Sequence, residues 1–244
     1  MYREEIINYL GQFGHGRFAP KAVLFDMDGV LYNSMPNHAY SWHTSMKSFG
    51  IEMSEADAYA YEGMRGVETI KKMVLEQRGE EITDEESQRM YDEKSRIFST
   101  CPKAEMMDGV IDVLRQVKSL GKKIVVVTGS GQHSLLEKLT NDFEGLIHKD
   151  MIVSSFDVTR GKPDPMPYLV GLKKAGVEPW EAVVVENAPL GVRAAVAAHI
   201  FTVAVNTGPL PDTMLASEGA NLIFRNMYDL NKTIGTLLNS EEWR

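Results

Sequence analysis

Four stretches of this chain are short and continuously apolar: 22–25 (Ala-Val-Leu-Phe), 123–127 (Lys-Ile-Val-Val-Val), 182–185 (Ala-Val-Val-Val) and 201–205 (Phe-Thr-Val-Ala-Val). Two shorter ones lie at 151–154 and 222–224. A half-exposed strand alternates apolar and polar residues, whereas these do not, so they fit strands buried on both faces. Helical patterns separate them, at 110–120 (stopped by Gly121), 132–139, 165–175 (stopped by Gly176) and 190–198. Strands that alternate with helices predict an α/β fold, a Rossmann-like parallel sheet covered on both faces.

Residues 35–102 break that alternation. They contain no convincing strand, and helical periodicity runs through 37–49, 54–61, 67–77 and 84–98. Thr83-Asp-Glu-Glu86 has the form of a capping box at the start of the last of these. An all-helical block inserted after the first strand of a parallel sheet predicts a cap. The expected organisation is a catalytic core of residues 1–34 and 103–244 with a helical cap domain of residues 35–102. Residues 1–20 form an N-terminal extension whose helix, over 2–13, packs on the outside.

The 244 residues suffice for one substantial domain with an insertion of this kind. A net charge of −8 leaves no basic excess for nucleic acid, although a local positive field can still receive an anionic substrate. Cys101 is the sole cysteine, so no internal disulfide forms and a reducing compartment is expected. The first residues lack the apolar run of a signal peptide, and Arg193 and His199 interrupt the most apolar later stretch, 192–205. Together these predict a cytoplasmic protein without membrane partners, a monomer or weak homo-oligomer.

Ligands of open parallel sheets bind beyond the carboxyl ends of the strands. The first strand ends in Asp26-Met-Asp28-Gly, the second in Thr128-Gly-Ser130, and the fourth in Glu186-Asn187-Ala-Pro-Leu-Gly191. Gly161-Lys162-Pro163-Asp164 follows the third at some distance. Residues i and i+2 of a strand share a side, so Asp26 and Asp28 can face one pocket. A carboxylate that accepts a phosphoryl group needs a metal to quench charge and an acid/base partner for the leaving oxygen. A lone D-x-D also fits an ordinary acidic turn; four polar strand ends converging on one edge of the sheet do not. Gly129-Ser-Gly131 is not a P-loop, because no Gly-Lys-Ser/Thr follows it.

This set resembles the haloacid dehalogenase superfamily, in its subgroup of phosphatases and β-phosphoglucomutases with a helical cap. The resemblance runs from about Lys21 to the end of the chain, with the four motifs in order. It implies that Asp26 is the nucleophile that becomes an aspartyl-phosphate, and that Asp28 is the general acid/base. Thr128 and Lys162 would grip the transferring phosphoryl, with the amides of Met27 and Gly129 and the neighbouring Ser130 completing the cradle. Asp26, the carbonyl of Asp28 and Asn187, beside Glu186, would form a Mg²⁺ site. The dehalogenases themselves lack a general acid two residues after the nucleophile, so Asp28 points to phosphoryl transfer.

Two departures from the subgroup bear on substrate. An aspartate is usual where Asn187 stands, and the amide removes one negative charge from the metal shell. β-Phosphoglucomutases tend to carry a lysine before the cap glycine and an arginine three residues after it. The corresponding stretch here is Glu62-Gly63-Met64-Arg65-Gly66, with Arg65 one residue early. Glu62 either reaches the Mg²⁺ when the cap closes, replacing the charge lost at Asn187, or pairs with Arg65 on the cap surface. His38 and Trp42 sit four apart at the cap entrance, His38 as a substrate-orienting candidate and Trp42 as core. The other histidines, among them His43, His133, His148 and His199, show no zinc-ligand spacing.

The resulting expectation is a Mg²⁺-dependent phosphohydrolase for a small phosphorylated substrate, inorganic pyrophosphate or a small phosphate monoester. The chain also resembles bacterial pyrophosphate-hydrolysing members of the subgroup in residues 28–36 and 186–192. A β-phosphoglucomutase-type isomerase is the alternative, and a binding module with a decayed site a remote one.

Overall fold

The computed structural model describes residues 2–130, 133–143 and 145–239. Gln132, expected at the start of a helix, lies outside them. Six strands form a single parallel sheet: β1 Ala22–Phe25, β2 Lys123–Val127, β3 Ile152–Val153, β4 Ala182–Glu186, β5 Phe201–Val205 and β6 Leu222–Phe224. Their order is β3-β2-β1-β4-β5-β6. The chain therefore runs outward from β1 on one side, returns, and continues outward on the other. β1 lies between β2 and β4, with Phe25 level with Val126 and Val185. Asp26 thus emerges at the point where the order reverses, where such sheets leave a crevice. Every residue of β1, β4 and β5 is buried, as their unbroken apolar composition requires.

Eleven α-helices accompany the sheet among the described residues. They are α1 Arg3–Phe13, α2 Met35–Ser48, α3 Glu55–Ala60, α4 Gly66–Arg78, α5 Asp84–Thr100 and α6 Val110–Ser119. The rest are α7 His133–Asp142, α8 Met166–Ala175, α9 Pro189–Ala197, α10 Asp212–Ser217 and α11 Met227–Leu238. Helices α2–α5 fill the interval after β1 and have an apolar core of their own, including Ala39, Trp42, Met46, Ile70, Met73 and Met90. The capping box of α5 is formed: the Glu86 amide donates to Thr83 Oγ1 at 3.1 Å and the Thr83 amide to Glu86 Oε2 at 3.0 Å. Ser54 and Asp57 make the same pair at α3, which stabilises a helix too short to persist alone.

Helix α1 corrects the expectation of an outer extension. Ile6 and Tyr9 are fully buried within the main core cluster, alongside Phe18, Val23 and Phe201. The Tyr9 hydroxyl donates to the carbonyl of His199 at 2.9 Å, and its ring packs edge-on to Phe201 at 5.4 Å. The stripe Ile6, Tyr9, Leu10, Phe13 supplies the buried face that α1 presents to the sheet.

Candidate active site

The loop after β1 folds back on itself, with the amides of Leu31 and Tyr32 donating to the Met27 carbonyl at 2.9 and 3.0 Å. Met27 is thereby anchored in the core by its side chain while Asp26 and Asp28 turn to the crevice, both almost fully buried. Lys162 arrives from the loop before α8, past a cis Lys162–Pro163 peptide, and places its ammonium on Asp26 Oδ1. The same ammonium donates to Glu186 Oε1 at 2.6 Å and to the Val127 carbonyl at 3.3 Å. Thr128 is buried at the end of β2, where its Oγ1 accepts from the Ser130 amide at 3.0 Å. The end of β1, the end of β2 and the Lys162 loop thus meet as their order in the sequence predicts.

Glu186 has a different role from the expected metal ligand. Its Oε1 accepts from Lys162 and from the Tyr168 hydroxyl at 2.8 Å. Its Oε2 accepts from the amides of Asn187 and Ala188 at 2.8 and 3.0 Å. Four protein donors occupy the carboxylate, so it orients Lys162 instead of facing a cation.

Two oxygens nearby do lack partners. Asp26 Oδ2 and Asn187 Oδ1 are both buried and accept no hydrogen bond. Buried acceptors are rarely left unpaired, and hard oxygen donors of this type suit a small divalent cation. Among the described residues no group of three or more His, Cys, Asp or Glu is arranged to hold a metal, so a cation here would depend on the Asn187 amide oxygen and on backbone oxygen.

Asp28 is fixed from the cap side. Ser34 Oγ donates to its Oδ1 at 2.5 Å and His38 Nε2 lies 3.3 Å from the same atom. His38 Nδ1 is 2.9 Å from Lys94 Nζ. An ammonium only donates, so Nδ1 accepts and the ring proton sits on Nε2, directed at Asp28. Burial opposes the charge on Asp28, but His38, the Ser34 hydroxyl and Lys94 outweigh it and hold the carboxyl below its usual range. Burial and the Lys94 charge push His38 down, leaving it neutral at pH 7.

Lys94 belongs to the site without any motif in the sequence to mark it. It lies in α5, 4 % exposed, with its ammonium over the rings of Phe98 at 4.8 Å and Trp42 at 5.2 Å. Burial pulls its pKa down to about 8 against the opposing pull of Glu62 and Asp28. Its neighbours Glu93 and Ser95 disguise it as part of a solvated face. The helical period nonetheless aligns Met90, Lys94 and Ile97 on the buried side.

The cap is closed over the core. A side chain at Gly63 would meet Lys162 Cδ at 2.9 Å, and Gly63 has φ +88°. Between cap and core lies a cavity of ≈ 70 Å³ lined by Asp28, His38, Glu62, Tyr91, Lys94 and Ser130, among others. Glu62 therefore faces the site. Burial, with the charges of Asp28 and Asp26, raises its pKa to about 8, and burial raises Asp26 to about 7 against the pull of Lys162. Arg65 pairs with Glu68 at 3.7 Å and donates to the Thr159 carbonyl at 3.3 Å. It neither pairs with Glu62 nor lines the cavity, because its stem is drawn across Gly161 of the core. This corrects its expected place among the substrate contacts. Trp42 joins the cap core, as expected, and also walls the cavity.

These features place the chain in a known class: residues 23–205 match the model of the haloacid dehalogenase-like hydrolases, and the chain belongs to that family. It is 30% identical over 187 residues to validoxylamine A 7'-phosphate phosphatase of Streptomyces hygroscopicus subsp. limoneus, covering 77% of this chain and 86% of that one. It is 33% identical to a phosphorylated carbohydrates phosphatase of Thermotoga maritima, over 74% of this chain and 82% of that one. A solved structure described as "Putative beta-phosphoglucomutase" from Bacteroides vulgatus superposes with TM-score 0.92 at 52% identity, covering 97% and 96% of the two chains.

Proposed function

We propose that this chain is a Mg²⁺-dependent phosphohydrolase that works through an aspartyl-phosphate on Asp26, with inorganic pyrophosphate or a small phosphate monoester as its substrate. The observation that carries the reaction type is the state of Asp26, with one oxygen gripped by Lys162 and the other buried and free.

In the first half-reaction an Asp26 oxygen attacks phosphorus and the bond to the leaving oxygen breaks; pyrophosphate releases it as phosphate anion, whereas the oxygen of a monoester takes a proton from the protonated form of Asp28. Lys162 and Thr128 hold the equatorial oxygens as charge shifts onto them. In the second, water attacks phosphorus, Asp28 takes its proton, and the bond to Asp26 breaks. Bound Mg²⁺, held by Asp26, Asn187 and the Asp28 carbonyl, supplies charge neutralisation on the transferring group. His38, the Ser34 hydroxyl and Lys94 keep Asp28 ionised, which suits water activation and a weakly basic leaving group such as phosphate.

The cap favours a small substrate. At roughly 10–15 Å³ for each water, the cavity holds about five to seven waters, less than a hexose phosphate displaces. Tyr91 lies where a side chain at Gly66 would come, 2.1 Å from that Cβ position, so the place of the mutase arginine is filled. Glu62 at the cavity wall is largely protonated at neutral pH without a cation, and in its ionised form it would repel an anion unless a cation intervened, which supports its approach to the metal.

Phosphosugar isomerisation is the second reading. It is favoured by the likeness to the Bacteroides vulgatus structure. A phosphate-release panel of pyrophosphate, sugar phosphates and nucleotides, beside a coupled mutase assay, separates the two. Asp26→Asn is expected to abolish release on all of them, and normal turnover in that variant rejects the nucleophile. Glu62→Ala is expected to lower pyrophosphate turnover far more than that of an aryl phosphate; equal losses reject metal contact by Glu62. Conversion of β-glucose 1-phosphate well above hydrolysis rejects the hydrolase reading.

A further inference from the structure

Beyond β5 the chain continues as Asn206-Thr207-Gly208, at the same carboxyl edge of the sheet that presents Asp26. The Asn206 backbone amide donates to the Phe224 carbonyl at 2.7 Å. Its side-chain amide donates to the Leu210 carbonyl at 2.8 Å and to Asp212 Oδ1 at 2.6 Å. These bonds brace the loop that carries Thr207. From it the Thr207 hydroxyl reaches 178 residues back along the chain and donates to the Gly29 carbonyl at 2.7 Å.

Gly29 follows Asp28, and two peptide planes meet at it. The first carries the Asp28 carbonyl and is fixed through its N–H, which donates to the Tyr32 carbonyl at 2.8 Å. The second carries the Gly29 carbonyl, and Thr207 holds it. Gly29 has φ +82°, a region that glycine enters freely, so without both bonds the turn would be free to swing.

Asn187 depends on the same turn. A Cβ at Gly29 would lie 2.1 Å from Asn187 Nδ2 and 2.8 Å from its Cγ, so the amide rests against the bare backbone of Gly29. With Nδ2 on that side, Oδ1 is turned away from it and is buried without a partner, as is Asp26 Oδ2. A shift of Gly29 therefore displaces the Asp28 carbonyl and the seat of the Asn187 amide together, two of the oxygens assigned to the cation. The cap covers this arrangement: a Cβ at Gly208 would meet Tyr59 Cδ1 of α3 at 2.7 Å, so the ring lies over the residue beside Thr207. A hydroxyl–carbonyl bond sheltered in this way is a firmer support than one in open water.

We infer that Thr207 is a positioning residue of the metal site: through Gly29 its hydroxyl fixes the Asp28 carbonyl and the Asn187 amide for a divalent cation. Thr207 acts through these groups and is not itself a ligand. The inference rests on the metal site proposed above. Groups that orient ligands from behind set metal affinity by about ten- to a hundred-fold.

Direct binding of Mn²⁺ tests it without substrate, because Mn²⁺ takes the same oxygen ligands as Mg²⁺ and its free ion is counted by its EPR signal. Thr207→Val keeps the shape and loses the donor, whereas Thr207→Ser keeps the donor. The valine variant should bind Mn²⁺ about ten-fold or more weakly than the parent, and the serine variant within about three-fold of it. In turnover, the valine variant should need correspondingly more Mg²⁺ for its half-maximal rate and recover most of the parent kcat at saturation. General damage to the fold does not produce that split. Melting in chelator checks the fold, and Thr207→Ala takes the place of the valine variant if the latter does not fold. A valine or alanine variant within about three-fold of the parent affinity, or a serine variant that loses as much as the valine one, overturns the inference and leaves the metal site standing. Asp26→Asn separates the two: if it binds Mn²⁺ as the parent does, the metal site itself is rejected and the inference falls with it.

Discussion

Replacing Glu186 by glutamine removes one charge and almost no volume, and its cost can be worked from four contacts. Lys162 and Tyr168 donate to one carboxylate oxygen and the amides of Asn187 and Ala188 to the other. A glutamine has a single oxygen, so its NH₂ must face one of these two pairs of donors. If it faces the amides, two buried N–H groups lose their acceptor. If it faces Lys162 and Tyr168, the hydroxyl can turn to accept, but the ammonium meets an N–H and keeps only Asp26 as charge partner. At about 1–3 kcal/mol for each buried group left unsatisfied, two losses come to about 2–6 kcal/mol. For a chain of this size, with each kcal/mol worth about 2–4 °C, the expected fall in Tm is roughly 5–20 °C. Calorimetry with a check for a single transition measures it, and phosphate release follows the accompanying loss of kcat as Lys162 shifts. A Tm within about 2 °C of the parent, with kcat unchanged, would refute the assignment of Glu186 as the group that holds Lys162.

The metal and the pH should be linked. Asp26, raised to about 7, and Glu62, raised to about 8, bind protons more tightly in the fold than in the unfolded chain. Their contribution to stability is therefore greatest near pH 4 and is lost as pH rises through 7 and 8. Mg²⁺ needs the ionised carboxylates, so the rise in Tm that it produces should grow between pH 6 and 8.5; a constant or shrinking rise contradicts the site. At the far end of the molecule, Ile6→Ala should cost about 2–5 kcal/mol in urea unfolding, the usual loss for a buried isoleucine. A loss below about 0.5 kcal/mol would return α1 to the status of an outer appendage.

The elements legible in the sequence were those whose residues declare their surroundings. Val183, Val184 and Val185 admit no exposed face, and β4 lies in the centre of the sheet. The strand ends were legible for the same reason, since polar groups after such strands have only the crevice to enter. Contacts made across the molecule by ordinary amphipathic patterns were harder to read. Helix α1 shows its apolar stripe but not the sheet that receives it, and α11, with Met227, Leu230, Ile234 and Leu237 buried, carries no motif to distinguish it. Arg65 went astray because spacing gives a residue's position on a loop and not the direction of a long side chain. Lys94 is hidden because α5 is mostly polar, and a lysine there is ordinarily in water.

Lys94 and Glu62 gain their meaning from the charge of the whole site. In the core, Asp26, Asp28 and Glu186 stand against Lys162 alone, which leaves two formal negative charges, the deficit a divalent cation fills. An aspartate at position 187 would make that deficit three, and the amide of Asn187 avoids this. Closing the cap then brings in one carboxylate, Glu62, and one ammonium, Lys94, and alters the total by nothing. The two differ in their surroundings: Lys94 engages His38 and through it Asp28, while Glu62 lies in the field of the Asp28 and Asp26 carboxylates. Because this pair sums to zero, it leaves the formal charge lining the site unchanged on closure, and its separated charges can still steer. The positive one keeps Asp28 ionised for water. The negative one is tolerable only when protonated or beside a cation, so if Glu62 reaches the proposed metal, metal occupancy and cap closure should favour each other, and Mg²⁺ should promote closure more as pH rises through 8.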